Sequence, residues 1–411
     1  MITTKRKLIL LGIIVLHVLL VLLMVSQTLS PLFNDASLRK GIAADFFAVY
    51  QAGYNAKEGE SVYLYNEGVA TPYSYPFRYL PGIAYIIGIP LTFLEPFEAY
   101  YVWVVMYEAM LAFNVYLTYK LSARFGTFLI ASIPWFLFTP YLLELYMGQW
   151  TFLLASFLFY SIYGMLTLSG SKYLFTATPL IKPNALLFVP PLVRHRQWGV
   201  LFATAAVTAL CSVPYFLLFP EDVGVFMLNF SEGLYSHGGN FGLQSLYAYI
   251  AIGLFGALHP GRLFLVFTLL AGILTTFLTF KYRDVVLHFA LWACLFFMIY
   301  KDVWEHHYVL LMPIFSLIIS TRVTDPRGLM AKRHLPLICS FLLIALPSLF
   351  VLELVLSPEG FQEPDALAPL FVIPYHSTKI LGVLLLYIWS TFQLMKEKTD
   401  QGILQRNERG Q

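Results

Sequence analysis

Lys5-Arg6-Lys7 stands directly before Leu8-Ile-Leu-Leu-Gly-Ile-Ile-Val-Leu-His-Val-Leu-Leu-Val-Leu-Leu-Met-Val-Ser-Gln27. A helix crossing the ~30 Å hydrocarbon core of a bilayer needs about 20 apolar residues, and this run supplies them. The basic residues in front of it hold the N-terminus in the cytoplasm. Met24-Val25-Ser26-Gln27-Thr28 is a poor cleavage site, so the run reads as a retained anchor and not as a signal peptide.

The pattern repeats down the chain. Long apolar runs follow at 97–119, 128–143, 151–168, 199–219, 263–280, 285–299, 308–320, 335–356 and 371–394. Runs 81–94 and 243–258 are shorter, and 173–193 is interrupted by Lys182-Pro183. The composition agrees: of 411 residues 59% are apolar, 17% aromatic and 12% charged. A soluble domain carries roughly a quarter charged residues. A disordered chain, a disulfide scaffold and an ordinary cytosolic enzyme are thereby excluded. A net charge of +3 gives no basis for nucleic acid binding. Cys211, Cys294 and Cys339 lie scattered in apolar runs, with neither disulfide nor metal-ligand spacing.

Basic residues orient the spans. One topology places Lys5–Lys7, Lys120/Arg124, Lys172, Arg194/Arg196, Lys281/Arg283, Arg322/Arg327/Lys332/Arg333 and Lys396/Lys398/Arg406/Arg409 inside, 18 of the 26 Lys and Arg. It requires 81–94 and 243–258 to lie in or dip into the outer interface, and 173–193 to form a hairpin with Lys182 near its outer tip. The expectation is one all-α integral membrane domain over 1–411, with about 10–13 spans and both termini cytoplasmic. Its first outer loop is 28–80, its second 220–245, and 396–411 is a cytoplasmic tail. No P-loop and no Gly-x-Gly-x-x-Gly motif is present, so any active site is built from loops and helix ends at the outer membrane face.

In the first outer loop Phe46, Phe47, Tyr50 and Tyr54 recur at helical spacing, which predicts a helix in the interface with rings at headgroup depth. Asp45 at its start is either an N-cap or a general base whose pKa is raised by nearby lipid. Arg78 either snorkels to headgroup phosphates or holds a substrate phosphate. Glu144-Leu-Tyr-Met-Gly148-Gln149 ends an apolar run; Gly148 permits close backbone approach, Gln149 offers donor and acceptor, and helix capping is the plainer reading. Lys182 lies deep in apolar sequence, where a lysine is costly and Pro183 breaks the helix; it marks a phosphate site or snorkels outward. The loop 221–244 carries Glu221, Asp222, Glu232, His237, Asn240 and Gln244. Lys301-Asp302-Val-Trp304-Glu305-His306-His307 precedes an apolar run, and its cations at a helix start favour a phosphate over a metal ion.

In this order the motifs resemble those of the C-type membrane glycosyltransferases, closest to family 87, the polyprenyl-phosphate-mannose-dependent α-mannosyltransferases. The resemblance rests on Asp45-Phe46 with Tyr50, Gly59 and Tyr63, Phe77-Arg78-Tyr79-Leu80-Pro81, Gly148-Gln149, Lys182-Pro183, Gln244-Ser245-Leu246 and Trp304-Glu305-His306-His307. The chain departs from the family pattern at Leu80, Thr151 and Tyr300-Lys301.

The resemblance implies a GT-C-like bundle and an inverting, metal-independent transfer with no cofactor. A hexose, mannose by the family, would pass from a polyprenyl-phosphate sugar to a hydroxyl of a glycolipid or glycan. By the same analogy Asp45 deprotonates the acceptor. Lys182, His306, His307, Arg78 and Lys301 neutralise the donor phosphate. Gln149, Tyr50, Asn240, Gln244 and Glu305 hold sugar or acceptor. The partners are then donor, acceptor and membrane lipid, at the outer face of the plasma membrane. A secondary transporter, to which Glu108, Lys182-Pro183 and Glu353 would belong, and a non-catalytic lipid-binding or assembly protein are the rival expectations.

Overall fold

The computed structural model describes residues 4–29, 42–64, 70–72, 75–231, 241–244, 246, 247, 250, 260–323, 331–347 and 377–396. Among these, all regular structure is helical. The longer helices are α1 (Thr4–Val25), α2 (Ala44–Glu58), α3 (Pro96–Leu121), α4 (Phe125–Phe136), α5 (Thr139–Met147), α6 (Thr151–Thr167), α7 (Trp198–Leu218), α8 (Asp222–Ser231), α9 (Pro260–Lys281), α10 (Val285–Ile299), α11 (Met312–Arg322), α12 (Leu335–Ala345) and α13 (Ser377–Lys396). Six segments of the described chain are long and apolar enough to cross a membrane: Lys7–Val25, Pro96–Leu121, Phe125–Met147, Trp198–Leu218, Phe264–Lys281 and Ser377–Lys396. The chain is an all-α polytopic membrane protein.

Six is fewer than the runs counted in the sequence, for local reasons. Helices α6, α10 and α12 are apolar but shorter than a full span. The run 308–320 is divided between a 3₁₀ turn, Glu305–Leu311, and α11. The run 81–94 holds a π-helical turn, Ala84–Gly88, continued by Ile89–Leu91. At ~1.5 Å per residue that piece covers about 12 Å, too little to cross. Most of 243–258 lies outside the described residues, as do Asn240, Glu353 and the tail beyond 396.

Burial divides the helices by solvent. In α10 every side chain from Val286 to Met298 is buried, as expected of a helix apolar on all sides. It packs among α6, α9 and α11. By contrast, Leu11 and Leu22 of α1, Phe202, Leu210 and Leu217 of α7, and Leu269 and Ile273 of α9 face outward. In water such surfaces would aggregate; in a bilayer they form the lipid-facing wall. Since lipid supplies no hydrophobic drive between helices, buried hydrogen bonds help to join them. Asn114 Nδ2 donates to Ser156 Oγ at 2.9 Å, Trp135 Nε1 to Thr118 Oγ1 at 2.9 Å, and Ser316 Oγ to the Ala131 carbonyl at 2.6 Å. On α1, His17 Nδ1 meets the Phe136 carbonyl at 3.0 Å and His17 Nε2 meets Glu108 Oε2 at 3.0 Å; Tyr141 donates to Glu108 Oε1 at 2.8 Å. Glu108 is thus occupied in joining α1, α3 and α5.

Two further features hold the region before α3 in place. A Cβ on Gly53 would lie 2.1 Å from the Gly88 carbonyl carbon, so α2 and the π-helical turn cross backbone against backbone. Ser61 Oγ and the Tyr215 hydroxyl both donate to the buried Asp222 carboxylate, and the Val62 N–H donates to Tyr215 at 2.9 Å. These bonds tie the segment after α2 to α7 and α8. The Tyr63 hydroxyl then donates to the Tyr79 carbonyl at 2.9 Å, which sets the position of Tyr79.

The expected hairpin at 173–193 is a chain of short pieces: 3₁₀ over Gly170–Ala177, α over Thr178–Ile181, 3₁₀ over Pro183–Phe188 and α over Val189–Arg194. Pro179, Pro183, Pro190 and Pro191 each lack an N–H, which prevents a continuous helix. Lys182 occupies the extended break at φ −145°, ψ 117°.

Candidate active site

The start of α2 and the α5–α6 turn meet in one place. Asp45 is the second residue of α2; Ala43, in the left-handed region at φ 65°, occupies the cap position. The N-cap reading of Asp45 therefore does not apply, although a carboxylate in the first turn still gains from the helix dipole. The Ala43 N–H donates to the Tyr146 carbonyl at 2.7 Å. Gly148 ends α5 at φ 68°, and a Cβ there would stand 2.5 Å from Phe46 Cβ and 2.9 Å from Phe46 N. Both the φ and the close approach require glycine. Gly148→Ala is expected to cost about 1–3 kcal/mol, read as a lowered Tm in detergent. It should also lower the activity of the folded fraction, because the displaced neighbour adjoins Asp45.

Glu144, fully buried, is the centre of the arrangement. Its Oε1 accepts the Phe152 N–H at 2.6 Å, capping α6 where Trp150 provides no cap. Glu144 Oε2 is buried and has no hydrogen-bond partner among the described residues. Lys182 Nζ donates to Thr151 Oγ1 at 2.8 Å and lies 3.5 Å from Gln149 Oε1. The charges of Glu144, Asp45 and Asp302 all act on Lys182. The Tyr79 hydroxyl lies 3.5 Å from the same Gln149 oxygen. Burial, then the negative charges of Asp45 and Glu144, push that hydroxyl well above the usual tyrosine range, so it remains a proton donor. The Gln149 backbone is held by the Tyr107 hydroxyl, 3.0 Å from its carbonyl.

The 3₁₀ turn Glu305–Leu311 packs on α5 and α6. His306 and His307 are both buried, their ring centroids 4.2 Å apart. His307 Nδ1 accepts the Trp304 N–H at 2.9 Å, so its remaining hydrogen is on Nε2. The Phe241 N–H donates to the Val303 carbonyl at 2.7 Å and the Tyr308 hydroxyl to the Phe241 carbonyl at 2.8 Å. Gln244, half-buried, follows three residues later. Arg78 is exposed, and its charge acts on Tyr79 and Tyr300. Lys301 is half-buried.

Other expected residues are placed elsewhere. The Tyr50 hydroxyl donates to the Leu94 carbonyl at 2.8 Å. Glu305 pairs with Lys379 of α13 at 2.9 Å, inside the bundle. Phe46 and Phe47 are fully buried instead of standing at headgroup depth. Phe46 packs against Tyr100, Trp103 and Trp150, and Phe47 against Phe97. The capping reading of the Glu144–Gln149 stretch holds for Glu144, which caps α6, but its place beside Lys182 is not part of that reading. The signal that finds it is the one that found Lys182, an ionisable group at the end of an apolar run.

A cation, two carboxylates, a protonated tyrosine and an amide thus converge, with two imidazoles on an adjoining turn. The group has a proton acceptor and a counter-charge for an anion. The family model for Glycosyltransferase family 87 matches residues 77–304. No curated protein matches the chain. Arg78, Glu144, Gln149, Lys182 and Gln244 lie within the matched residues; Asp45, His306 and His307 lie outside them.

Proposed function

The chain belongs to glycosyltransferase family 87, and from that premise we propose that it transfers a hexose, mannose on this reading, from a polyprenyl-phosphate sugar to a hydroxyl of a glycolipid or glycan, with inversion and at the extracytoplasmic face. The acceptor hydroxyl gives its proton to the Asp45 carboxylate as its oxygen attacks C1 of the donor sugar. The bond from C1 to the phosphate oxygen breaks, and its electron pair leaves with the polyprenyl phosphate. Lys182 offsets the charge that grows on that phosphate, where a fixed cation needs no reorganisation. Gln149 and the Tyr79 hydroxyl orient sugar or acceptor. His306 and His307, with Arg78 and Lys301, complete the phosphate end, and Gln244 faces the acceptor.

The observation that carries this reading is Lys182 within electrostatic reach of Asp45 and Glu144. Base and phosphate counter-charge thereby share one site, as the bond exchange requires. The test is transfer of labelled mannose from polyprenyl-phosphate-mannose in membranes holding the chain. A labelled lipid or polymer product is expected, with its anomeric configuration opposite to the donor's. A product that retains the donor configuration would overturn the single-displacement scheme. Label moving only with other hexose donors would overturn mannose.

A further inference from the structure

A polar cavity lies at the other end of the bundle from the Lys182 group. It has a volume of about 360 Å³ and is formed where the end of α6, the start of α10, the end of α11, the turn Lys332–His334 and α13 meet; Asp284, Arg322, Arg333, His334 and Gln393 supply its polar lining. Helix α10 begins at this cavity and ends beside Tyr300. Its 15 residues put the cavity about 22 Å from the Lys182 group at ~1.5 Å per residue.

The hydrogen bonds of the cavity specify what it lacks. Arg333 Nε donates to His334 Nε2 at 3.1 Å. The imidazole nitrogen that accepts carries no hydrogen, so the hydrogen of His334 sits on Nδ1. His334 is only 5% exposed, and its Nδ1 is buried with no hydrogen-bond partner among the described residues. A buried N–H at a residue that lines a cavity calls for an acceptor. The surrounding charge is positive: Arg322 pairs with Asp284, while Arg333 and Lys396 both act on His334, with no opposing carboxylate among the described residues. Burial and those two cations hold the His334 ring below its usual pKa range, which keeps it neutral. An exposed guanidinium beside an unpartnered N–H suits a phosphate, which arginine binds through paired bonds. Leu166, Val285 and Val286 give the same cavity an apolar side, which reaches the bundle surface at the exposed Leu166.

We propose that this cavity binds a phosphate group, through Arg333 and the His334 Nδ1–H, and that the phosphate is carried by the headgroup of an anionic phospholipid. Basic pockets between membrane helices take such headgroups. The site is independent of the transfer chemistry.

The full chain in detergent would be melted with added phosphatidylglycerol, phosphatidylcholine or inorganic phosphate. Phosphatidylglycerol should raise Tm, and phosphatidylcholine should not. Arg333→Gln, a change at an exposed side chain, should weaken the apparent affinity for phosphatidylglycerol about tenfold. Lys7→Gln, on exposed α1, should leave it unchanged. His334→Asn provides a second variant with the same expected loss should Arg333→Gln fail to fold. A shift with inorganic phosphate alone that Arg333→Gln abolishes keeps the phosphate site but overturns the lipid source. Equal shifts with both lipids, equal shifts in wild type and Arg333→Gln, or no shift at all would overturn the site.

Discussion

Asp45→Asn is expected to lower sugar transfer by about 10²–10⁴-fold, the usual contribution of a positioned general base. The amide matches the carboxylate in shape but takes no proton at neutral pH. The fold should tolerate the change because Ala43, not Asp45, occupies the cap position of α2. What α2 loses is the favourable interaction of a first-turn carboxylate with the helix dipole, about 0.3–1 kcal/mol. Initial rates in membranes with equal protein content and saturating donor provide the measurement. Unchanged rates would remove Asp45 from the chemistry and shift attention to Glu144, which with Asp302 also acts on Lys182.

Lys182→Met should be as damaging, for two separable reasons. Loss of one fixed donor to a developing anion costs about 10²–10³ in rate. The same change leaves the buried Glu144 without the positive charge that acts on it, and a buried polar group left uncompensated costs about 1–3 kcal/mol. Adding Glu144→Gln separates the two effects. The glutamine oxygen still accepts the Phe152 N–H, so the cap of α6 survives. The double variant should therefore regain most of the lost Tm and none of the lost rate. If the two variants melted alike, Glu144 would not depend on Lys182; if the double variant recovered transfer, Lys182 would have no part in offsetting phosphate charge.

The membrane class is legible in the sequence because hydrocarbon imposes a length and a polarity that a run such as 8–27 meets without reference to the rest of the chain. Lys182-Pro183 is legible for a related reason: a lysine and a helix breaker in apolar sequence contradict their surroundings. The helix at 44–58 also follows from local spacing. Which way its rings face does not. Phe46 and Phe47 pack against residues from 97 to 150, and the spacing of aromatics is the same whether protein or headgroups receive them. The charge that faces Glu144 and the partner of Glu305 are hidden for the same reason. Lys182 is 38 positions from Glu144, and Lys379 is 74 from Glu305. Pairing across such separations is a property of how helices meet. Helix length is read poorly where a 3₁₀ turn such as Glu305–Leu311 or a π-helical turn such as Ala84–Gly88 replaces α-geometry, since hydropathy is blind to the difference.

The contact between His17 and Glu108 has a consequence for how the molecule assembles. The Phe136 carbonyl only accepts, so His17 Nδ1 carries a hydrogen, and Nε2 and Glu108 Oε2, 3.0 Å apart, share a single proton. Helix α1 keeps little of its surface against protein, with 17% of its apolar stretch buried. Contact area of that size leaves rotation and depth nearly degenerate. The shared proton removes the degeneracy. Every other register of α1 turns an imidazole toward hydrocarbon and strands a carboxylate behind it, and the bilayer rejects both. Helix α1 thus carries its own proofreading mark, read by the bundle it packs against.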